Sequence, residues 1–545
     1  MTVHRMEEVA EKIGIPATAL EPYGRAVAKV DLGFLRPGPP RKGGKLVLVT
    51  AMTPTSHGEG KTVTTIGIAM ALSRQGEKAV ACLRQPSLGP VFGLKGGAAG
   101  GGRATVEPAQ DINLGFTGDI YSIASAHMLL SAMMDNHLFQ GNALGLETES
   151  ISWPRTVDMD DRALRHILIG MDGKKGGVHR EGGFVITAAS EVMAVLGLAR
   201  DYPDLKRRLG NIVVGQRKDL SPVTARDLEA AGAMATILRN AFRPNLVATA
   251  EGTPAFVHGG PFANIAHGTA SLVSILLGLQ QADYCIVESG FASDLGAEKF
   301  VDIVSRIGGF SVNVTVIVAT VRALRHHGGA PDAEEGKPSV ERVERGLDNL
   351  AKHIENAKLF GAAPVVALNR FPDDTPAEID LVRKFVESQG VPIALSDGFA
   401  QGSKGVLELA DRVKEQAAKG MQSHPLYELS EPLEKKVEKI VTRIYGGKGV
   451  IWTDGARVDA DTSRALGLAN APVCIAKTHM SLSDDPKTFG RPRDFMATAK
   501  SVRSSVGAGF PVVLMGSIVT MPGLPKRPSA ADIDLADDGR VVGLR

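Results

Sequence analysis

The segment Lys45-Leu-Val-Leu-Val-Thr-Ala-Met-Thr-Pro-Thr-Ser-His-Gly-Glu-Gly-Lys-Thr62 constrains the fold more than any other stretch of the chain. Its apolar, β-branched opening fits a strand buried on both faces, and it runs straight into a glycine-bearing turn closed by Gly60-Lys61-Thr62. Val63, Ile66, Ala69, Met70 and Leu72 then keep helical spacing, Gly76 ends the helix, and Ala79-Val-Ala-Cys-Leu83 reads as a second buried strand. Strand, turn, helix and strand in this order form a βαβ unit, which demands a parallel sheet with helices on its faces.

The turn also carries chemistry. Backbone N–H groups along Thr55, Ser56, His57, Gly58, Glu59, Gly60, Lys61 and Thr62, together with the helix N-terminus, can hold phosphate oxygens. Lys61 can reach the β- and γ-phosphates of a nucleoside triphosphate, and the Thr62 hydroxyl suits Mg²⁺. Thr55 stands where the usual pattern has its first glycine, so an ordinary capped strand-to-helix turn is the competing reading. Arg84 sits where the second strand ends, the edge at which open α/β sheets gather ligands.

A chain of 545 residues with 43% hydrophobic residues can bury a large core in several domains, and no apolar run approaches the ~20 residues of a membrane span. The formal net charge of +2, with both signs interspersed, lacks the basic field of a nucleic-acid binder. Cys82, Cys285 and Cys474 lie in apolar contexts far apart in sequence, which reads as reduced core thiols and favours the cytoplasm. The N-terminus lacks the apolar stretch of a signal peptide.

Short β-branched runs recur at Leu246–Thr249, Tyr284–Val287, Val312–Ala319, Pro364–Leu368, Pro392–Leu395, Val473–Ala476 and Pro511–Met515. Most alternate with helical patterns, so the expected class is α/β: mostly parallel sheets of the P-loop type wrapped by helices in a multi-domain subunit. Polar residues follow the runs at once, among them Glu251, Glu288, Arg322, Asn369, Asp397 and Lys477. Boundaries are expected at Gly328–Pro338, at a hairpin-like stretch over Gly170–Gly183, and at the polar Met421–Pro432 segment. The run Gly96–Gly102 fits either close backbone approach or a disordered loop.

Pro86-Ser-Leu-Gly-Pro-Val-Phe-Gly-Leu-Lys-Gly-Gly-Ala-Ala-Gly-Gly-Gly102 and Val318-Ala-Thr-Val-Arg-Ala-Leu-Arg-His-His-Gly-Gly329 are long and specific, and with them the chain strongly resembles formate tetrahydrofolate ligase. Further similar stretches include Phe116-Thr-Gly-Asp119, Gly259–Gly268, Ala292–Phe300, Ser483–Pro486 and Met521–Pro525. The resemblance implies ligation of formate to tetrahydrofolate with ATP and Mg²⁺ through formyl phosphate, leaves room for a monovalent cation, and implies a cytoplasmic homotetramer. It implies a phosphate-gripping role for Arg84, proton transfer or helix capping for Asp119, and a pterin wall made by Phe371 and Phe399, the latter where the family commonly has tryptophan. The expected division is a nucleotide-binding region over 1–360, with 120–210 as a subdomain, and a C-terminal α/β region over 361–545 that contributes to the folate site. Gln85, Arg103, Gly115, Tyr121 and Thr269-Ala270 depart from the family pattern, which raises a rival expectation: a paralogue that binds ATP but uses another acyl donor or acts as an ATPase without ligation.

Overall fold

The computed structural model describes residues 4–36, 44–55, 57–94, 97–516 and 518–544, so Ser56 of the phosphate turn and Gly96 of the glycine run lie outside the described residues. Its main sheet has twelve strands: β1 (Leu20–Pro22), β2 (Ala28–Val30), β3 (Lys45–Ala51), β4 (Ala79–Leu83), β5 (Gly100–Gly101), β6 (Ala104–Glu107), β7 (Asn245–Thr249), β8 (Pro254–Val257), β9 (Tyr284–Glu288), β10 (Val314–Ala319), β11 (Ala363–Asn369) and β12 (Ile393–Ser396). The spatial order is β1-β2-β7-β8-β4-β9-β3-β10-β11-β12, with β6 added beside β7 and β5 beside β6.

From β8 to β12 every neighbouring pair is parallel, as the βαβ pattern requires. The residues of β3 alternate between two cores: Leu46 and Leu48 pack into one, while Val47, Val49 and Ala51 pack with Ile66 and Ile68 of helix α1 (Lys61–Arg74). Both faces are therefore dry, which is why the strand is apolar without interruption.

The opposite edge is antiparallel. β7 pairs antiparallel with β2, β6 and β8. The cause is local: Gly252 adopts φ +77°, its N–H donates to Thr249 O, and the Thr249 N–H donates to Thr253 O. That closes a hairpin too tight for a crossover helix.

A second, four-stranded sheet is formed by β13 (Gly449–Trp452), β14 (Cys474–Ala476), β15 (Met496–Ser505) and β16 (Phe510–Met515) in the order β13-β15-β16-β14. β11 and β12 continue the main sheet beyond residue 360, so that sheet does not divide there, and the second sheet starts only at Gly449. The Met421–Pro432 segment lies between the two and is tied to the first by Ser423 N–H to Val312 O and His424 N–H to Phe360 O. The stretch around Gly170–Gly183 includes the expected hairpin, Ile167–Ile169 against Arg180–Gly182. All three cysteines are buried free thiols, and Cys82 and Cys285, distant in sequence, come within 3.6 Å on neighbouring strands. Among the described residues no helix is long and apolar enough to cross a membrane.

Candidate active site

Because the strands from β4 to β12 are parallel, their C-terminal ends meet along one edge, and the turn after β3 stands at its centre. Gly60 has φ +76° and is the residue before α1; a Cβ there would lie 2.3 Å from Asn369 Nδ2. Glycine is thus required twice over at that point, by backbone conformation and by crowding. Glu59, buried beneath the turn, accepts from the Thr55 N–H at 2.7 Å and from the Thr320 hydroxyl at 2.5 Å, while its carbonyl accepts from Asn369 Nδ2 at 3.2 Å. These contacts hold the turn from three strand ends without a glycine at 55. His57 reaches Glu335 at 3.3 Å on the outer side.

Glu288, the last residue of β9, organises the charges. It accepts from the Thr62 hydroxyl at 2.5 Å and from the Arg84 guanidinium at 3.3 Å. Burial lowers the Lys61 pKa below its ordinary value, while the carboxylates of Glu288 and Glu59 oppose that fall. Lysine, arginine and threonine are therefore gathered around one carboxylate, as the β3–β9–β4 strand order dictates. Sequence reading noted Glu288 only as one of several polar residues at strand ends; its adjacency to the phosphate turn needs the strand order, which the sequence does not state. Thr62 and Glu288 together form a hard oxygen donor pair of the kind Mg²⁺ takes alongside substrate phosphates and water. Among the described residues no group of three or more His, Cys, Asp or Glu stands ready to hold a metal ion.

Asp119 begins helix α2 (Asp119–Phe139) and is buried. One carboxylate oxygen accepts from Lys29 Nζ at 2.6 Å and the other from Asn245 Nδ2 at 2.7 Å. Burial lowers the Lys29 pKa, with Asp119 as the main opposing influence. With both oxygens engaged, Asp119 joins β2, β7 and the start of α2. A side-chain cap to the helix backbone is not formed, since Gly118 occupies the N-cap position.

Phe371 and Phe399 follow the adjacent strands β11 and β12, whose ends align as Asn369 opposite Ser396. Phe371 is half-buried, its N–H donates to Asp374 at 2.8 Å, and the Arg322 guanidinium lies 5.2 Å from its ring centroid. Phe399 is 60% exposed, with its carbonyl accepting from the Arg103 N–H at 2.8 Å. The two rings share an edge of the sheet without stacking on each other among the described residues. The described glycines serve that arrangement through tight packing: a Cβ on Gly102 would fall 2.1 Å from Phe399 O, and one on Gly100 would fall 2.2 Å from Ala104 O.

The departures from the family pattern take different environments. Gln85 is buried beside Arg84 with its amide N and O unpartnered, and Thr269, also buried, has an unpartnered hydroxyl. Tyr121 is 77% exposed, Arg103 is exposed, and Gly115 has φ +104° with open space around it.

Comparison with known proteins agrees with this geometry. The family model described as formate–tetrahydrofolate ligase matches residues 1–545. A formate–tetrahydrofolate ligase of Thermus thermophilus is 54% identical over 539 residues, covering 99% of this chain and 98% of the relative. One of Thermosipho melanesiensis is 50% identical over 540 residues, covering 99% and 97%. A full-length family match and half-identical relatives, on a chain whose glycine turn, arginine and carboxylate meet at one sheet edge, leave one assignment: this chain belongs to the formate–tetrahydrofolate ligase family.

Proposed function

We propose that this protein joins formate to N10 of tetrahydrofolate with conversion of ATP to ADP and phosphate, working as a cytoplasmic homotetramer. The observation that carries the reading is the meeting of Lys61, Thr62 and Arg84 around Glu288 at the C-terminal edge of a parallel sheet. A formate oxygen attacks the γ-phosphorus, the bond to the ADP oxygen breaks, and formyl phosphate forms. N10 then attacks the formyl carbon, the C–O bond to phosphate breaks, and the amine proton is released.

Formate is a poor electrophile because its charge is delocalised, so the first step sets the demand on the site. Phosphoryl transfer is catalysed chiefly by positioning and by fixed charge around the phosphate oxygens. Lys61 and the turn N–H groups hold the β- and γ-phosphates. Arg84, with a fork-shaped guanidinium, grips phosphate oxygens through both steps once they displace Glu288 from it. Thr62 and Glu288 would hold Mg²⁺. The ion supplies charge neutralisation on the β- and γ-oxygens. Phe371 and Phe399 offer flat faces for the pterin, which gains most from offset stacking. Asp119 and Lys29 fix the start of α2 and the neighbouring Thr117, which donates to Asn245 at 3.0 Å.

The deciding experiment uses purified protein with ATP, Mg²⁺, formate and tetrahydrofolate, followed by acid conversion of the product to its methenyl form. One 10-formyltetrahydrofolate per ADP is the expected yield. ADP release at the same rate without formate or folate would mean that the site runs as an ATPase.

A further inference from the structure

A cavity of about 490 Å³ lies apart from the phosphate turn, between the segment around 150–194 and the second sheet. Its wall includes Trp153, Arg165, Phe184, Glu191, Arg503 and Phe510, and none of the residues assigned above to phosphate, metal or folate. Cavities of ~300–1,000 Å³ with aromatic walls and a few polar groups are the usual receptacles of small organic molecules.

Two donors in this wall lack acceptors. Arg503, on β15 opposite Val512, is solvent-exposed where it lines the cavity and makes no hydrogen bond or ion pair among the described residues. The Trp153 indole N–H is buried and unpartnered, although its ring stacks on His127 at 4.1 Å. Arg165 spends its Nε on Met521 O at 2.9 Å, leaving the fork end of the guanidinium available. The acidic group in the wall is Glu191, which accepts from the N–H groups of Gly507 and Ala508 at 2.7 and 3.2 Å. Burial raises its pKa to about 7, so near neutrality it only partly offsets the two arginines. Arg165 and Arg503 are the solvent-exposed basic residues of the lining, so a carboxylate seated beside the buried Trp153 N–H would meet positive charge while keeping its edge in water.

We propose that this cavity is a second ligand site, for a small flat carboxylate whose ring packs among Trp153, Phe184 and Phe510 and whose oxygens are held by Arg503. The chain has two tryptophans, so Trp452→Phe leaves Trp153 as an internal reporter. With ATP and Mg²⁺ saturating, benzoate should quench Trp153 fluorescence saturably, and neutral benzamide should bind at least about tenfold more weakly, the size of one charge-assisted hydrogen bond. Arg503→Gln should weaken benzoate by about the same factor, leave benzamide and the ligation rate unchanged, and Arg503→Lys should restore most of the affinity. Phe399→Ala should leave benzoate binding unaltered, separating this site from the folate wall. Equal binding of benzoate and benzamide to the wild type would overturn the proposal even if Arg503→Gln fails to fold. So would undiminished benzoate binding by a folded Arg503→Gln, or inorganic phosphate binding as tightly as benzoate.

Discussion

Glu288 holds the Thr62 hydroxyl and the Arg84 guanidinium with its two oxygens, so its charge sets the balance of the site. Glu288→Gln keeps the shape and removes the charge; apparent Mg²⁺ affinity should fall by roughly 10–100-fold, as for other groups that tune a metal site, while KM for tetrahydrofolate stays put. An unchanged Mg²⁺ dependence in steady-state kinetics would remove Glu288 from the metal site. Lys61→Ala should cut turnover by two or more orders of magnitude, since losing one donor to a developing charge costs about 3–4 kcal/mol. Near-normal turnover would place the phosphates elsewhere. Phe399→Ala should weaken folate by about an order of magnitude, through lost apolar contact and stacking, and leave KM for ATP alone. Equal loss for both substrates would point to damage in the glycine turn that Phe399 covers. At this scale the sequence singled out Lys61 and Thr62 by their spacing in the turn and Arg84 by its place at a strand end, and the structure sets all three near one carboxylate. Glu288 was not singled out, because its role arises from strands 226 residues apart in sequence.

Helix α3 (Pro376–Ser388) shows how an element fixes a site residue it does not contain. Thr375 and Glu378 form a reciprocal capping box, Pro occupies the first turn, and Glu378 also takes two bonds from Arg325 at 2.8 and 2.7 Å and one from the Ser339 N–H at 2.8 Å. Arg325 in turn donates to Asp373 O at 3.1 Å, so the cap also sets the short loop that carries Phe371. Thr375→Ala should cost about 1 kcal/mol in denaturant unfolding and raise KM for folate; loss of stability with KM unmoved would detach the cap from the pterin wall. Burial raises the Glu378 pKa, but the bonds from Arg325, Thr375 and Ser339 outweigh it and bring it to about 2. A depressed carboxyl contributes stability that is complete above its unfolded value and is lost as pH falls toward the folded one, so this contribution disappears from about pH 4.5 down to 2. Glu378→Gln should remove that limb and, by leaving Arg325 without its buried partner, cost about 3 kcal/mol or more; an unaltered acid limb would show that the pair is not formed. Element recognition from sequence was good wherever both faces of a strand are buried, as in β3, β4 and β9. It missed β15, whose Met-Ala-Thr-Ala-Lys-Ser-Val-Arg-Ser-Ser lacks a β-branched run, and it assigned β7 no direction, because strand direction there is set by the Gly252 hairpin and not by the strand itself.

For the molecule as a whole, the two sheets and the segments between them bury titratable groups of both kinds, and their balance fixes how stability responds to pH. Burial brings His127, His258 and His353 to about 4 and His267 and His327 to about 3. Below about pH 6.5 the unfolded chain therefore takes up protons that the folded chain refuses, and stability falls as pH drops from there. Burial acts in the opposite sense on Glu191 and Asp302, raised to about 7, on Asp374, raised to about 6, and on Glu298, raised beside Asp302. The folded chain keeps those protons after the unfolded chain has released them, so their contribution is full at low pH and is lost as pH rises from about 4 to 7. Five imidazoles dominate below the crossing and the carboxyls above it, which places maximum stability near about pH 6. Urea midpoints measured from pH 4.5 to 8 should trace a dome. His258→Gln should flatten its acid side and Glu191→Gln its alkaline side, each by roughly one proton in the slope. A midpoint that climbs steadily to pH 8 would mean that Glu191, Asp302 and Glu298 are ionised in the folded chain, and the packing between the first sheet and the second would then be wetter than the buried contacts of Glu191 with Gly507 and Ala508 imply.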